Sequence, residues 1–331
     1  MSDAKPTPNL TLVTGGNGFI GSVVVRALCS RGVPVRLLLR EHSRTDRLAD
    51  LPFERSLGDV RDGDSVLRAM RGCSQVIHLA SLSSWSDIHS PHMPDVVVGG
   101  TRHVLTAASA LGKPRIVYVS SSTAIDGTAT PVVLNEDSPL TLPLDDFIYV
   151  KAKRAAEDLC REAVATEGLP VTIVNPTEVY GPNDVDGITS GTLIDFAKST
   201  PVVVSHGGTS IVHVEDVALG ILAALEKGRP GERYILGGDN LTIEALARLT
   251  LDILGRRAPV VTIPSPLIRA LGWLGTHLHV PVPFNPAVAP YAVRYWFMDN
   301  TKARTELGVD FRPAREVLAP TLAWLSAHRL A

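Results

Sequence analysis

Within its first turns of chain the sequence runs an apolar segment, Leu10-Thr11-Leu12-Val13, straight into Thr14-Gly15-Gly16-Asn17-Gly18-Phe19-Ile20-Gly21, and then into an apolar-periodic helical stretch from Val23 to Cys29. No other feature restricts the fold as much. Glycines at 15, 18 and 21 let a strand turn tightly, let the backbone approach a pyrophosphate, and let helix and sheet pack closely. The helix N-terminus then receives the anion. A glycine-rich turn alone is usually only a turn. Here strand, turn and helix come in the required order and a second strand, Val33 to Leu39, follows, so the segment reads as a dinucleotide site.

The rest of the chain continues the alternation. Strand-like runs fall at 10–13, 33–39, 53–57, 75–79, 115–120 and 171–175, and helical patterns near 19–31, 64–71, 94–111, 149–167 and 191–199. Such a sequence predicts an α/β protein with a Rossmann-type doubly wound parallel sheet and ligands at the carboxyl ends of its strands. After Asn175 the pattern becomes irregular and rich in proline, which marks a smaller, interleaved C-terminal substrate-binding part. The expected division is a dinucleotide-binding core over 1–175, rejoined by 210–227, and a substrate-binding part over 176–209 and 228–331.

Tyr149 and Lys153 stand four residues apart at the start of a helical stretch, downstream of the serine cluster Ser120-Ser121-Ser122. One helical turn puts phenol and ammonium on one face. A nearby cation favours the phenolate and brings a tyrosine, with its reference pKa of about 10, closer to working pH. A serine hydroxyl across the pocket could hold the reacting oxygen. The pair is common by chance, so its weight comes from the dinucleotide site upstream.

These segments together resemble the extended short-chain dehydrogenase/reductase family. The matching pieces are the Thr14-to-Gly21 turn, Gly58-Asp59-Val60, His78-Leu79-Ala80, Ser120 to Ser122, Tyr149 to Lys153 with Ala156-Glu157 behind it, and Asn175-Pro176-Thr177 with Gly181-Pro182. The loop Asn175 to Pro182 is similar to that of the dihydroflavonol reductase, 3β-hydroxysteroid dehydrogenase and hopanoid-associated epimerase-like branch. The resemblance implies catalysis by Ser122, with Ser121 as the alternative, by Tyr149 as general acid or base, and by Lys153, which would depress the tyrosine pKa and bond the nicotinamide ribose. It also implies a cofactor held by Gly15, Asn17, Gly18, Phe19, Ile20, Gly21, Asp59, Val60, Leu79, Ala80, Ser81, Ser120, Pro176, Thr177 and Val179, together with Tyr149 and Lys153. Two positions depart from the pattern: Asp126 stands where many sugar-nucleotide members carry tyrosine, and Val97 where many carry asparagine. The family also implies a homodimer through helices near 94–111 and 149–167.

Cofactor choice turns on Arg40, nineteen residues after Gly21 at the end of the second strand. An acidic residue there would accept both ribose hydroxyls of NAD, whereas an arginine pairs with a 2′-phosphate. NADP is therefore preferred over NAD, although an arginine that only stacks on adenine would leave both usable. His78, with no metal-spaced partner, reads as a packed structural histidine. Sugar-nucleotide members present an arginine where this chain has Thr209, while Trp85 and the apolar stretch Leu267 to Phe284 with Trp273 are candidate pocket walls. The expected substrate is a small hydrophobic ketone or alcohol, contacted by Trp85, Ser122, Tyr149, Thr209 and Trp273. A sugar or sugar-nucleotide epimerase or dehydratase with tightly bound NAD is the alternative, and a non-catalytic cofactor-sensing protein the second.

Composition narrows the partners. The 331 residues carry a formal net charge of −2, leaving no basic field for nucleic acid. Three distant cysteines, Cys29, Cys73 and Cys160, form neither a disulfide framework nor a metal motif. No stretch approaches the ~18 apolar residues of a membrane span, and the polar start has no signal-peptide core. The expected location is the cytoplasm, and no metal is expected.

Overall fold

The alternation of the N-terminal half becomes a single parallel sheet in the computed structural model, which describes residues 10–84, 87–88, 90–278, 280–282 and 286–328. In chain order the first elements are β1 (Thr11–Thr14), α1 (Phe19–Ser30), β2 (Val35–Leu39), β3 (Glu54–Leu57), α2 (Gly63–Met70) and β4 (Gln75–His78). A π-helical turn at Pro94–Gly99 leads into α3 (Gly100–Ala110), then β5 (Arg115–Val119), a 3₁₀ turn at Ser122–Ala124, β6 (Val133–Leu134), α4 (Ile148–Glu167), β7 (Val171–Pro176) and β8 (Glu178–Tyr180). The remainder comprises α5 (Ser190–Lys198), β9 (Val202–Ser205), β10 (Gly208–His213), α6 (Val214–Lys227), β11 (Arg233–Leu236), β12 (Asn240–Thr242) and α7 (Ile243–Ile253). It closes with β13 (Val260–Ile263), α8 (Ser265–His277), α9 (Ala289–Ala292), β14 (Tyr295–Met298) and α10 (Ala314–His328).

Seven strands line up as β11-β7-β5-β4-β1-β2-β3, all parallel. This is a Rossmann-type doubly wound sheet, whose order reverses between β1 and β4 and opens a crevice at the carboxyl ends. The inner strands are covered on both faces and largely apolar, whereas the edge strand β3 is polar and mostly exposed. Successive residues face opposite layers: Val13, Val117 and Val174 pack with α1 and α6, whereas Leu12, Tyr118 and Ile173 pack with α2, α3 and α4. Gly168, with φ +66°, ends α4 in a left-handed cap, its N–H bonding Val164 O at 3.1 Å.

The returning segment differs from expectation. Ile211 to His213 lies in β10, which pairs with β12, β14 and β8 in a smaller second sheet, and only the following α6 rejoins the core by packing on α1. The strand that enters the large sheet is β11, beside β7, within the stretch assigned from sequence to the substrate side. Four residues behind a Pro-Gly turn carry too little periodicity to be told from a loop strand.

Candidate active site

The glycine turn has the geometry its spacing requires. Gly15 sits at φ +71°, and a Cβ there would come within 2.8 Å of Ala80 N. At Gly21 a Cβ would lie 2.1 Å from Gly15 O. The two positions thus form a cradle that a side chain would fill. Gly18 caps α1 with no side-chain bond, leaving the first-turn amides, those of Phe19 and Ile20 among them, to an anion. Asn17 is tied to the loop after β2, its Nδ2 donating to Arg44 O at 3.1 Å.

The other expected cofactor residues gather around the same crevice at strand ends. Arg40 is exposed just past β2, and among the described residues its guanidinium makes no hydrogen bond or ion pair. Its neighbours are committed: Arg44 pairs with Asp46 at 3.2 Å and Arg47 with Asp186 at 2.8 Å. Asp59, past β3, holds Arg61 at 2.8 Å, and that guanidinium keeps its carboxyl below the usual range, with a smaller through-space pull from Arg40. Val60 beside it is buried. Leu79, Ala80 and Ser81 follow β4, Ser120 follows β5, Pro176 ends β7, Thr177 comes next with its N–H on Leu236 O at 3.1 Å, and Val179 lies in β8. Ser81 Oγ and Ser120 Oγ are buried without a hydrogen-bond partner at the ends of adjacent strands. Unpaired buried hydroxyls are costly, and a polar ligand in the crevice would satisfy them. Cradle, free helix amides and orphan hydroxyls fit a dinucleotide.

His78 is buried in a bonded chain. Thr14 Oγ1 accepts from Ala80 N at 3.2 Å and lies 2.6 Å from His78 Nδ1. On the other side Nε2 is 3.2 Å from Thr101 Oγ1, which donates to Val97 O at 2.6 Å. Thr101 has spent its proton, so Nε2 donates and Nδ1 accepts from Thr14. Burial, with Lys153 adding to it, pushes the ring down to about 3, so it is neutral.

Tyr149 and Lys153 lie in the first turns of α4, facing the Ser120–Ser122 turn. Lys153 is buried, its Nζ 3.0 Å from Val119 O and 5.9 Å from the centre of the Tyr149 ring. Burial lowers it to about 8, against the opposing pull of Glu157. Tyr149 is pushed up to about 12 by burial, with a hydrogen bond to Ser121 acting the other way. The sequence led us to expect a depressed tyrosine; in this geometry desolvation dominates, and the ammonium bonds a carbonyl rather than the phenol.

Of the serine cluster, Ser121 is the one whose hydroxyl pulls Tyr149 down, where the resemblance favoured Ser122. Ser121 caps the 3₁₀ turn, its Oγ accepting from Thr123 N at 3.3 Å and from Thr123 Oγ1 at 3.0 Å. Ser122 is buried as the first residue of that turn.

Beneath this pair lies a network that sequence reasoning missed. Glu157, fully buried one turn past Lys153, accepts from Asn175 Nδ2 at 2.6 Å, Arg161 at 3.0 Å and Arg233 at 3.3 Å. Asn175 Nδ2 also reaches Ser121 O at 2.8 Å, and Arg233 bonds Glu136 O. Glu157 is thereby both countercharge to Lys153 and a strut for the serine turn. A lone acid at i+4 from the lysine on an otherwise apolar face was the available signal.

The substrate side also differs from expectation. Trp85 lies outside the described residues. Trp273 is 54% exposed on α8 and stacks on His277 at 5.0 Å. Thr209 is buried in β10, its Oγ1 donating to Ser210 O at 3.3 Å, while burial raises the Glu178 carboxyl, which accepts from Tyr180 at 2.6 Å. The side chains packed with Tyr149 are instead Ile88, Leu142, Phe147, Val150, Tyr291 and Trp296. Phe147 meets Tyr291 edge-on at 4.9 Å, and Tyr291 stacks on Trp296 at 5.8 Å. Arg294 lies 5.4 Å over Phe147 and donates to Gly127 O at 2.9 Å.

Comparison with known proteins agrees with this geometry. Sterol demethylase protein B of Methylococcus capsulatus is 33% identical, over 95% of this chain and 97% of its own. A 4-hydroxy-2-methyl-3-oxo-4-farnesyl-3,4-dihydroquinoline-1-oxide ketoreductase of Stigmatella aurantiaca is 32% identical, over 90% and 91%. The solved dTDP-glucose 4,6-dehydratase double mutant of Streptomyces venezuelae, with NAD bound, superposes with a TM-score of 0.76 at 26% identity, over 96% of this chain and 97% of that one. The profile of the NAD dependent epimerase/dehydratase family matches residues 11–237. The chain belongs to that family, as an NAD(P)-dependent enzyme of the extended short-chain dehydrogenase/reductase type.

Proposed function

We propose that the protein is an NADP(H)-preferring ketone reductase or alcohol dehydrogenase for a hydrophobic substrate. The observation that carries this reading is the aromatic wall of Phe147, Tyr291 and Trp296 packed beside Tyr149. An apolar ketone seated there gains roughly 25 cal/mol per Å² removed from water, before the costs of association. A diphosphate would have to shed its water beside Thr209 and the Glu178 carboxyl, neither of which can neutralise its charges. The names of the sterol and farnesyl-quinoline relatives support the same substrate class.

In reduction Tyr149 donates its proton to the oxygen that becomes the alcohol, and in oxidation it takes that proton back. The Ser121 hydroxyl favours the phenolate that this transfer leaves behind. Lys153 spends one N–H on Val119 O, and its other donors suit a ribose hydroxyl and the tyrosine's negative form. A bound nicotinamide cofactor supplies or accepts the hydride. Gly15 to Gly21 would hold its pyrophosphate, and the unengaged Arg40 supports a 2′-phosphate.

A screen of aromatic, alicyclic and steroid-like carbonyl compounds with NADPH, read by nicotinamide absorbance, tests the proposal, and turnover on at least one such class is expected. Arg294 favours a second reading, a sugar-nucleotide epimerase, because it is a cation at the rim of the same wall. Calorimetric titration with UDP decides between them. Micromolar affinity, abolished by Arg294→Ala, would put the epimerase first.

A further inference from the structure

One face of α8 is left unexplained by the reaction. Its inner side is closely packed: Ile268 is buried with Ala289 and Val293, and a Cβ on Gly272 or Gly275 would come within 2.5 Å of Ala289 or 2.6 Å of Pro286. On the outer side, Leu267, Trp273 and Leu278 are 49%, 54% and 59% exposed, and Val280 just beyond is 43% exposed. Leu267, Leu271, Leu274 and Leu278 recur at helical spacing and so line one stripe. Among the described residues, no hydrophobic cluster includes any of these four leucines. Exposed large apolar side chains gathered on one element mark an interaction site.

Charge selects the occupant. Between Asp252 and Asp299 the sequence has no Asp or Glu at all, but it has Arg256, Arg257, Arg269 and Arg294. Arg257 and Arg269 are exposed. A second copy docking across a two-fold axis would bring the same cations face to face with no acid from this segment to pair them. An anionic lipid surface offers hydrocarbon for the leucines and negative headgroups for the arginines at once, and a tryptophan suits the boundary between them. With 13 residues, α8 is roughly 20 Å long, too short to span a bilayer. No helix among the described residues is long and apolar enough to cross a membrane. The helix would therefore lie in the interface.

We propose that α8 docks the enzyme on the surface of an anionic bilayer, with Leu267, Leu271, Leu274 and Trp273 entering the acyl boundary and Arg257 and Arg269 reaching the headgroups. This goes beyond the reaction proposed above and stands or falls apart from it, because its readout is binding. The full chain is mixed with vesicles of phosphatidylcholine alone or of phosphatidylcholine with phosphatidylglycerol, then followed by sedimentation and tryptophan emission. Binding with a blue shift is expected on the mixed vesicles, little on phosphatidylcholine alone, and it weakens as salt approaches about 0.5 M. Trp273→Phe keeps sedimentation and loses most of the blue shift. The double variant Leu267→Asp/Leu274→Asp lowers partitioning at least about tenfold, and Arg269→Glu lowers it less, both at unchanged melting temperature. No binding to mixed vesicles, or undiminished binding of the aspartate variant, overturns the proposal. A concentration-dependent dimer that the aspartate substitutions dissolve would assign the face to a second copy. A raised substrate KM for that variant in vesicle-free buffer would assign it to the substrate cleft.

Discussion

In the reading proposed above, the crevice at the carboxyl ends of the large sheet and the aromatic cluster beside Tyr149 are two halves of one site, built in different ways. The crevice depends on what the backbone can do: Gly15 and Gly21 leave room that a single Cβ would occupy, and α1 presents bare amides. The wall depends on which side chains meet: Phe147 comes from the start of α4, Tyr291 from α9 and Trp296 from β14. A backbone device constrains residue type at fixed spacing. A side-chain surface constrains only volume and polarity, which many sequences satisfy. The difference explains how one fold keeps its cofactor while substrates vary among relatives named for sterols, quinolines and sugars.

If the halves are separable, breaking the chemistry should leave cofactor binding intact. Tyr149→Phe is expected to cut turnover roughly 10²-fold or more, the scale of a lost general acid, while fluorescence titration shows that NADPH still binds. Turnover near wild type in that variant would remove Tyr149 from the mechanism.

The converse test alters only the crevice. Arg40→Asp should shift the NADPH-to-NADH ratio of kcat/KM toward NADH by about tenfold or more, because a carboxylate repels the 2′-phosphate and accepts free ribose hydroxyls. The KM for the carbonyl substrate should not move. A wild type that already prefers NADH, with no change on substitution, would refute the role given to Arg40.

Glu157 tests the joint between the halves and should give the smallest effect. Lys153 is lowered to about 8, and Glu157 favours its charged form. The ammonium is present below that value and lost above it, so activity should fall as pH rises through about 8. Removing the negative charge with Glu157→Gln lowers the lysine further, and the alkaline limb of kcat/KM should move to lower pH. A limb that stays in place, with the fold intact by circular dichroism, would leave Glu157 as a structural brace alone.

The serine cluster and Trp273 show where local information stops. The serine cluster was legible, but which hydroxyl meets Tyr149 depends on the 3₁₀ turn that Ser121 caps and on Asn175 holding that turn from β7. Trp273 had the composition of a pocket wall, yet it lies on the outside of α8. Phe147, Tyr291 and Trp296 drew no notice, because residues so far apart in sequence share no spacing. Glu157 was visible inside the motif, while its partner Arg233 sits on a four-residue strand that periodicity could not identify.

By itself the sequence determined the parallel sheet, the dinucleotide turn and the Tyr149–Lys153 pair. Each is written in short-range periodicity or in backbone conformations that only glycine reaches at no steric cost. Only the tertiary structure decided which serine hydroxyl acts on the tyrosine, what counters the buried lysine and which rings pack beside Tyr149. Those depend on side chains from distant elements meeting in a low-dielectric interior, where burial raises Tyr149 and lowers Lys153, and no local pattern encodes that meeting.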